Sequence, residues 1–149
     1  MPSEQLRFYQ LDVFTTTPYK GNPLAIVHLP PGRDLEPEQK LKIAREFNLS
    51  ETVFLHAIEG DQAKIDIYTT TEELPFAGHP TIGSGWHLLN DVRPGITLLT
   101  KAGAIPVAPL PSSGVGVVVP QAESSLESPS ISKYIRHTPT QRSRKTRRV

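Results

Sequence analysis

The first patterned stretch, Leu6-Arg7-Phe8-Tyr9-Gln10-Leu11-Asp12-Val13-Phe14, puts Leu6, Phe8, Gln10, Asp12 and Phe14 on one face of a strand and Tyr9, Leu11 and Val13 on the other. Apolar residues on both faces predict an inner or well-covered strand. Residues 15–23 are turn chemistry, sharpest at Gly21-Asn22-Pro23, and residues 24–29 read as a second strand closed by Pro30-Pro31-Gly32. The first clear helix opens at Glu36-Pro37-Glu38, with Asp34 as its expected cap and Pro37 in its first turn. Leu41, Ala44 and Phe47, flanked by Ile43, give it a narrow apolar stripe, and it stops at Asn48-Leu49-Ser50. Residues 52–58 and 63–69 form the arms of a hairpin turned by Glu59-Gly60-Asp61-Gln62. In its second arm Ile65, Ile67 and Thr69 face one way, and Lys64, Asp66 and Tyr68 the other.

A second helix has a different pattern. Glu73-Leu74-Pro75-Phe76-Ala77-Gly78-His79-Pro80-Thr81 runs directly into Ile82-Gly83-Ser84-Gly85-Trp86-His87-Leu88-Leu89-Asn90. This reads as a tight glycine loop that delivers His79 and turns at once into a buried helix. Gly78 is expected to supply a backbone conformation that a side chain would resist. Pro80 suits a first helical turn, where its missing N–H costs nothing. Thr81, Gly83, Ser84 and Gly85 are small enough for close approach, while Ile82, Trp86, Leu88 and Leu89 supply apolar girth. A helix apolar on most faces expects to be surrounded, and its N-terminus is a ready anion site. After a turn at 91–95, short strands are expected at 96–100, 105–110 and 115–119, separated by turns at 101–104 and 111–114. Roughly seven strands and two helices at this spacing predict an α+β lobe, a curved, mostly antiparallel sheet wrapped around a central helix.

The pattern stops at Pro120. Residues 1–120 carry 9 Lys and Arg against 13 Asp and Glu, a net of −4, whereas residues 121–149 carry 7 against 2, a net of +5. The overall +1 therefore hides an acidic folded part joined to a basic tail. Residues 121–149 hold one aromatic, Tyr134, few aliphatics, many serines and the run Arg142-Ser143-Arg144-Lys145-Thr146-Arg147-Arg148. Such a segment cannot bury enough apolar surface to offset its ordering entropy, and it reads as disordered. The absence of cysteine excludes disulfides, thiolate metal sites and a cysteine nucleophile. No apolar run reaches membrane-spanning length, and Met1-Pro2-Ser3-Glu4-Gln5 lacks the plan of a signal peptide, so a soluble cytoplasmic protein without a membrane partner is expected.

Three loop motifs remain: Gly21-Asn22-Pro23, Leu49-Ser50-Glu51-Thr52 and Gly78-His79-Pro80. All lie at element ends, where a rigid scaffold presents functional groups. By residue type alone, a Glu opening a strand is a solvated charge and a His beside Gly and Pro satisfies a turn. Asn22 holds its turn through side-chain-to-backbone bonds. Asp12, an acid within an apolar strand, has either a local hydrogen-bond partner or a site role. His28, His56, His87 and His137 show no ligand-like spacing, and no metal is expected.

Taken together, Asp12-Val13-Phe14-Thr15 with Gly21-Asn22-Pro23-Leu24-Ala25, then Asn48-Leu49-Ser50-Glu51-Thr52-Val53-Phe54, then Glu73-Leu74-Pro75-Phe76-Ala77-Gly78-His79-Pro80-Thr81, resemble the PhzF (phenazine-biosynthesis-like) family of isomerases and epimerases. The resemblance runs in order from about residue 6 to 119. It implies a diaminopimelate-epimerase-like fold of two similar lobes, an active site in the cleft between them, no cofactor, and a homodimer. It also implies a carboxylate that moves a proton between carbons of a dihydro-hydroxyanthranilate. The family's acid/base Glu maps onto Glu51, and its Gly-His-Pro residues map onto Gly78 and His79, which line the substrate site. Asn22 is grouped with them as substrate-binding. A carboxylate whose pKa is raised in a closing, partly apolar cleft can take a proton and return it. The N–H groups after Gly78 could hold a substrate carboxylate, and His79 could hydrogen-bond it or orient Glu51. Without cysteine, the two-thiol chemistry of amino-acid epimerases on this fold is closed to the chain.

The chain departs from the family in two ways. Tyr68-Thr69-Thr70 stands where the family often has Phe-Thr-Pro, with Asp66 where a basic residue is common. Members also carry a second lobe that supplies an acidic residue and backbone donors facing the Glu, whereas the folded pattern here ends near Pro120; a shifted reading frame or an alternative transcript would produce such an end. The expected function is cofactor-independent isomerisation or epimerisation of a small carboxylate-bearing metabolite. The alternatives are an inactive lobe acting only by association with another copy or a paralogue, and nucleic-acid binding through the basic tail.

Overall fold

The computed structural model describes residues 5–89, 94–109, 115–117 and 140–148. Along the chain come β1 (Gln5–Val13), β2 (Asn22–His28), α1 (Pro37–Phe47), β3 (Thr52–Leu55), β4 (Gln62–Tyr68), β5 (Glu73–Leu74) and α2 (Gly78–Leu89). There follow β6 (Ile96–Thr100), β7 (Gly103–Pro109), β8 (Val115–Val117) and β9 (Thr140–Arg148). The strands join in the order β8-β7-β6-β4-β3-β2-β1-β9, with β5 attached to β4. All pairings are antiparallel except β2 with β3 and β4 with β6. The architecture is the mostly antiparallel α+β sheet around a central helix that the pattern predicts.

The period-2 alternation explains how one sheet serves two helices. Leu11, Val13, Leu24, Ile26, Val53 and Ile65 pack in the core that includes α2 through Ile82, Leu88 and Leu89. Leu6, Phe8, Val27, Phe54 and Tyr68 form a separate core with Ala44, Leu41 and Phe47 of α1. The α1 stripe is therefore confirmed, but its cap is Glu36 rather than Asp34: the Glu36 N–H donates to Gln39 Oε1 at 3.0 Å. Asp34 instead accepts from Leu35 N–H and pairs with Lys40. At the far end Asn48 takes the left-handed conformation (φ 52°) and its N–H donates to Ala44 O, as asparagine can at a helix C-terminus.

From Pro80 to Leu89 every residue of α2 except Trp86 is buried. A Cβ at Gly83 would stand 2.5 Å from Leu24 Cδ2 and 2.9 Å from Val13 Cγ2, and one at Gly85 would stand 2.5 Å from Val107 Cγ1. The sheet thus grips the helix from both flanks, β1 and β2 on one side and β7 on the other. Gly78 corrects the expectation made for it. Its φ is not positive, and a Cβ there meets nothing within 4 Å, because the chain enters α2 in ordinary helical geometry.

The C-terminal segment also differs from expectation. Residues 140–148, read as part of a disordered tail, form β9 antiparallel to β1, with Gln5 opposite Arg148 and a register shift between Gln10 and Asp12. Backbone hydrogen bonding to an edge strand needs no apolar side chain, and composition weighs only side-chain burial. The two-residue β5 was too short to leave a periodic signal. The turn expected at 111–114, the end of the strand expected to 119, and residues 121–139 lie outside the described residues.

Overpacking at Gly83 should be felt by the whole fold. Gly83→Val is expected to destabilise by about 1–3 kcal/mol and Gly78→Ala to stay within about 0.5 kcal/mol. Urea unfolding followed by circular dichroism checks both.

Candidate active site

The three motif loops meet at one end of the sheet. Val13, the last residue of β1, pairs with Asn22, the first of β2, and β2 runs parallel to β3 with Ala25 beside Thr52. Glu51, one residue before β3, therefore stands at the end where β2 begins. β4 ends there too, since Thr52 pairs with Tyr68, and β5 returns from it toward the N-terminus of α2. The αL residue Asn48 ends α1 three residues short of Glu51 and turns the chain into position.

Glu51 and His79 are brought together. His79 Nδ1 lies 3.3 Å from Glu51 Oε2, with the side chains 10% and 18% exposed respectively. The approach is not a formed hydrogen bond, for Glu51 Oε2 has no hydrogen-bond partner, and neither does the buried His79 Nε2. An acid and an imidazole thus face each other, each with unused hydrogen-bonding capacity, in mostly desolvated surroundings. Beside them, Thr81 N–H and Oγ1 both engage Ala77 O. The first-turn N–H groups of Gly78 and His79 have no carbonyl within the helix to receive them, and they carry the positive end of its dipole. The combination suits binding an anion and moving a proton beside it.

The Gly-Asn-Pro turn is held differently from expectation. Asp12 Oδ1 accepts the Gly21 N–H at 3.0 Å, and Thr15 and Thr17 bond one another within the loop. A Cβ at Gly21 would fall 2.2 Å from Val13 O, so only glycine fits under that clamp. Asn22 is exposed, at the same end of the sheet as Glu51. The work given to Asn22 from the sequence is thus done by Asp12, whose place in an apolar strand was the available signal. Phe14 and Tyr19 both have positive φ, 65° and 66°, so this loop stores backbone strain next to the site.

A second polar cluster lies on the face of the sheet that carries α1. Lys40 Nζ is 2.6 Å from both Asp34 Oδ1 and Asp66 Oδ2, and His56 Nε2 is 2.6 Å from the same Asp66 oxygen. Asp34, His56 and Asp66 have the separations of a metal-ligand set, yet the Lys40 ammonium already sits between the two carboxylates. It fills the position a metal would take and fastens α1 to β4. Burial pushes the Asp66 carboxyl up, but hydrogen bonds from His56 and Lys40 and the Lys40 charge outweigh it and hold Asp66 well below the ordinary 3.8. Burial likewise pulls Lys40 down, and the two carboxylates reverse this, raising it above 10.5. Sequence reading missed this cluster, although Lys40, Ala44 and Phe47 share one helical stripe. His28 and His87, taken as ordinary, are also engaged, with their Nε2 atoms 2.8 Å apart.

The structure is thus a mostly antiparallel α+β lobe closed around one helix, with an acid–imidazole pair at that helix's entrance. The family model of phenazine biosynthesis-like proteins (PhzC-PhzF) matches residues 11–142, and the chain belongs to that family. An uncharacterized isomerase of Pasteurella multocida is 43% identical over 102 residues, 66% of this chain and 35% of the relative. The trans-2,3-dihydro-3-hydroxyanthranilate isomerase of Pseudomonas aeruginosa is 38% identical over 104 residues, 68% of this chain and 37% of the relative. The solved structure of a PhzC/PhzF phenazine biosynthesis protein from Clostridium difficile superposes with a TM-score of 0.63 at 31% identity, covering 69% of this chain and 40% of that one. The chain thus spans well under half the length of these relatives. Among the described residues, no helix is long and apolar enough to cross a membrane.

The Lys40–Asp66 pair sets an acid limit on stability. A carboxyl whose folded pKa is depressed contributes stability above its unfolded value and loses it as pH falls toward the folded one. Stability should therefore drop as pH falls below about 4. Asp66→Asn should flatten that limb and cost about 2–4 kcal/mol at neutral pH, because Lys40 keeps only Asp34. Urea titrations across the acid range measure both effects.

Proposed function

We propose that this chain is the Glu-bearing lobe of a cofactor-independent isomerase that moves a proton between carbons of a small carboxylate-bearing metabolite. Glu51 is the acid/base group: its carboxylate takes a proton from one carbon and, as the acid, returns it to another, so the substrate changes no atoms overall. His79 orients Glu51 or hydrogen-bonds the substrate, and the N–H groups of Gly78 and His79 hold the substrate's carboxylate. Asn22 contributes from the rim. The observation that carries this reading is the 3.3 Å approach of His79 Nδ1 to Glu51 Oε2, with neither Glu51 Oε2 nor the far ring nitrogen of His79 committed elsewhere. Desolvation beside a helix N-terminus suits a carboxylate meant to exchange protons.

The substrate to try first is trans-2,3-dihydro-3-hydroxyanthranilate, the compound named for the Pseudomonas aeruginosa relative. In deuterium oxide, proton NMR should show isomerisation with label entering the product. Glu51→Gln should cut the rate by about a hundredfold or more, the range of a lost general acid/base. An unchanged rate in that variant would sink the assignment.

A second reading takes up the association with another copy or a paralogue that the sequence suggests. Here the working unit is a homodimer or a pair with a paralogue, in which another surface closes over Glu51. Light scattering and activity on dilution separate the readings. A dimer whose specific activity falls as it dissociates supports the assembled site, and a monomer with constant specific activity removes it.

A further inference from the structure

A cavity of about 380 Å³ opens on the face of the sheet that carries α1. It lies where the edge of β4 changes partner. Gln62 to Lys64 pair with β6 and Ile67 and Tyr68 pair with β5, leaving a gap at Ile65 and Asp66. Lys40 and Asp66 form its floor, only 5% and 6% exposed, and Leu35, Pro37 and Leu99 give it an apolar wall. Lys64 and Lys101 stand at its rim, more than half exposed. The volume falls within the roughly 300–1,000 Å³ of pockets that hold small molecules.

The more exposed unused hydrogen-bonding capacity in this cavity is on its two rim ammonium groups, for each lining carboxylate has one oxygen engaged and its side chain is less exposed than either rim lysine. Asp66 Oδ2 already receives Lys40 and His56, both at 2.6 Å, and Asp34 Oδ1 receives Lys40 and the Leu35 N–H. Glu73 Oε2 receives Lys101 at 2.6 Å and the Tyr68 hydroxyl at 3.3 Å. Burial and the neighbouring Glu73 push the Tyr68 hydroxyl up to about 12, so it remains a donor. Each ammonium has three donors. Lys101 has one engaged with Glu73, and Lys64 stands 3.6 Å from Asp66 Oδ1, beyond hydrogen-bond range. A ligand that answers two rim ammonium groups and an apolar wall is an acceptor mounted on a hydrocarbon body.

We propose that this cavity is a second binding site, for a small organic carboxylate, separate from the Glu51–His79 site and on the face of the sheet that carries α1. The proposal does not depend on the isomerase reading. The test is an NMR titration of the whole chain with phthalate, which carries two carboxylates on a ring, and, separately, with benzylamine and inorganic phosphate. Backbone amide shifts read the two sites apart: Lys64, Thr100 and Lys101 for the cavity, Gly78 and His79 for the helix entrance. Phthalate should shift the cavity amides saturably, more tightly than phosphate, and benzylamine should not. The double variant Lys64→Ala, Lys101→Ala should weaken that response roughly tenfold or more, as expected for two lost charge-assisted contacts, while leaving any response at Gly78 and His79 unchanged. Both lysines are solvent-facing, so the variant keeps the fold, and its spectrum reports this directly. Phthalate shifts confined to the helix entrance, equal affinity in the double variant, equal affinity for phosphate, or preferential binding of benzylamine would each overturn the proposal.

Discussion

The helix Gly78–Leu89 has almost no exposed side, and the rest of the lobe is arranged to meet that constraint. A helix so apolar is stable only inside a sheath, and a sheath formed from one sheet must curve. Gly83 and Gly85 remove side-chain bulk where β1, β2 and β7 close in. The sheath leaves the helix entrance at the end of the sheet where β2 and β3 begin. The polar end of an otherwise apolar rod is thereby delivered to the same place as Glu51. Burial of the helix and presentation of His79 are two results of one packing solution.

Much of this was legible in the chain. The alternation in residues 6–14 and 63–69 separated Leu6 and Phe8 from Leu11 and Val13, and Ile65 and Ile67 from Tyr68, as the two cores do, because a strand buried on both faces must satisfy two cores at once. The pairing of Glu51 with His79 was legible as motifs, though not as a distance. What stayed hidden depended on tertiary partners. Asp12 and Asn22 are both turn-capable residues nine and one positions from Gly21, and only the fold shows which of them reaches its N–H. Lys40 drew no reading from the sequence, since nothing local reveals two carboxylates waiting 2.6 Å away. Gly78 shows the converse error, in which a glycine beside a functional residue was credited with a strained backbone it does not have.

The chain links the two faces of the sheet. α1, fastened through Lys40 to β4, leads through Asn48 to Glu51, while β5, fastened through Glu73 to Lys101, leads through Pro75 to His79. The acid and the imidazole are therefore mounted on two arms rooted on opposite walls of the cavity beside α1.

The pairing of β9 with β1 bears on how the protein behaves in a crowded solution. β1 is nine residues long and apolar on both faces, and a bare strand of that kind invites pairing with strands of other molecules. β9 covers it with a strand of five arginines and lysines and no acid, so the outermost backbone of the sheet belongs to a segment whose copies repel one another. Among the described residues the opposite border is β8, three residues long. The composition that made this segment look unable to fold is well suited to an outermost strand, where colloidal solubility matters more than core packing.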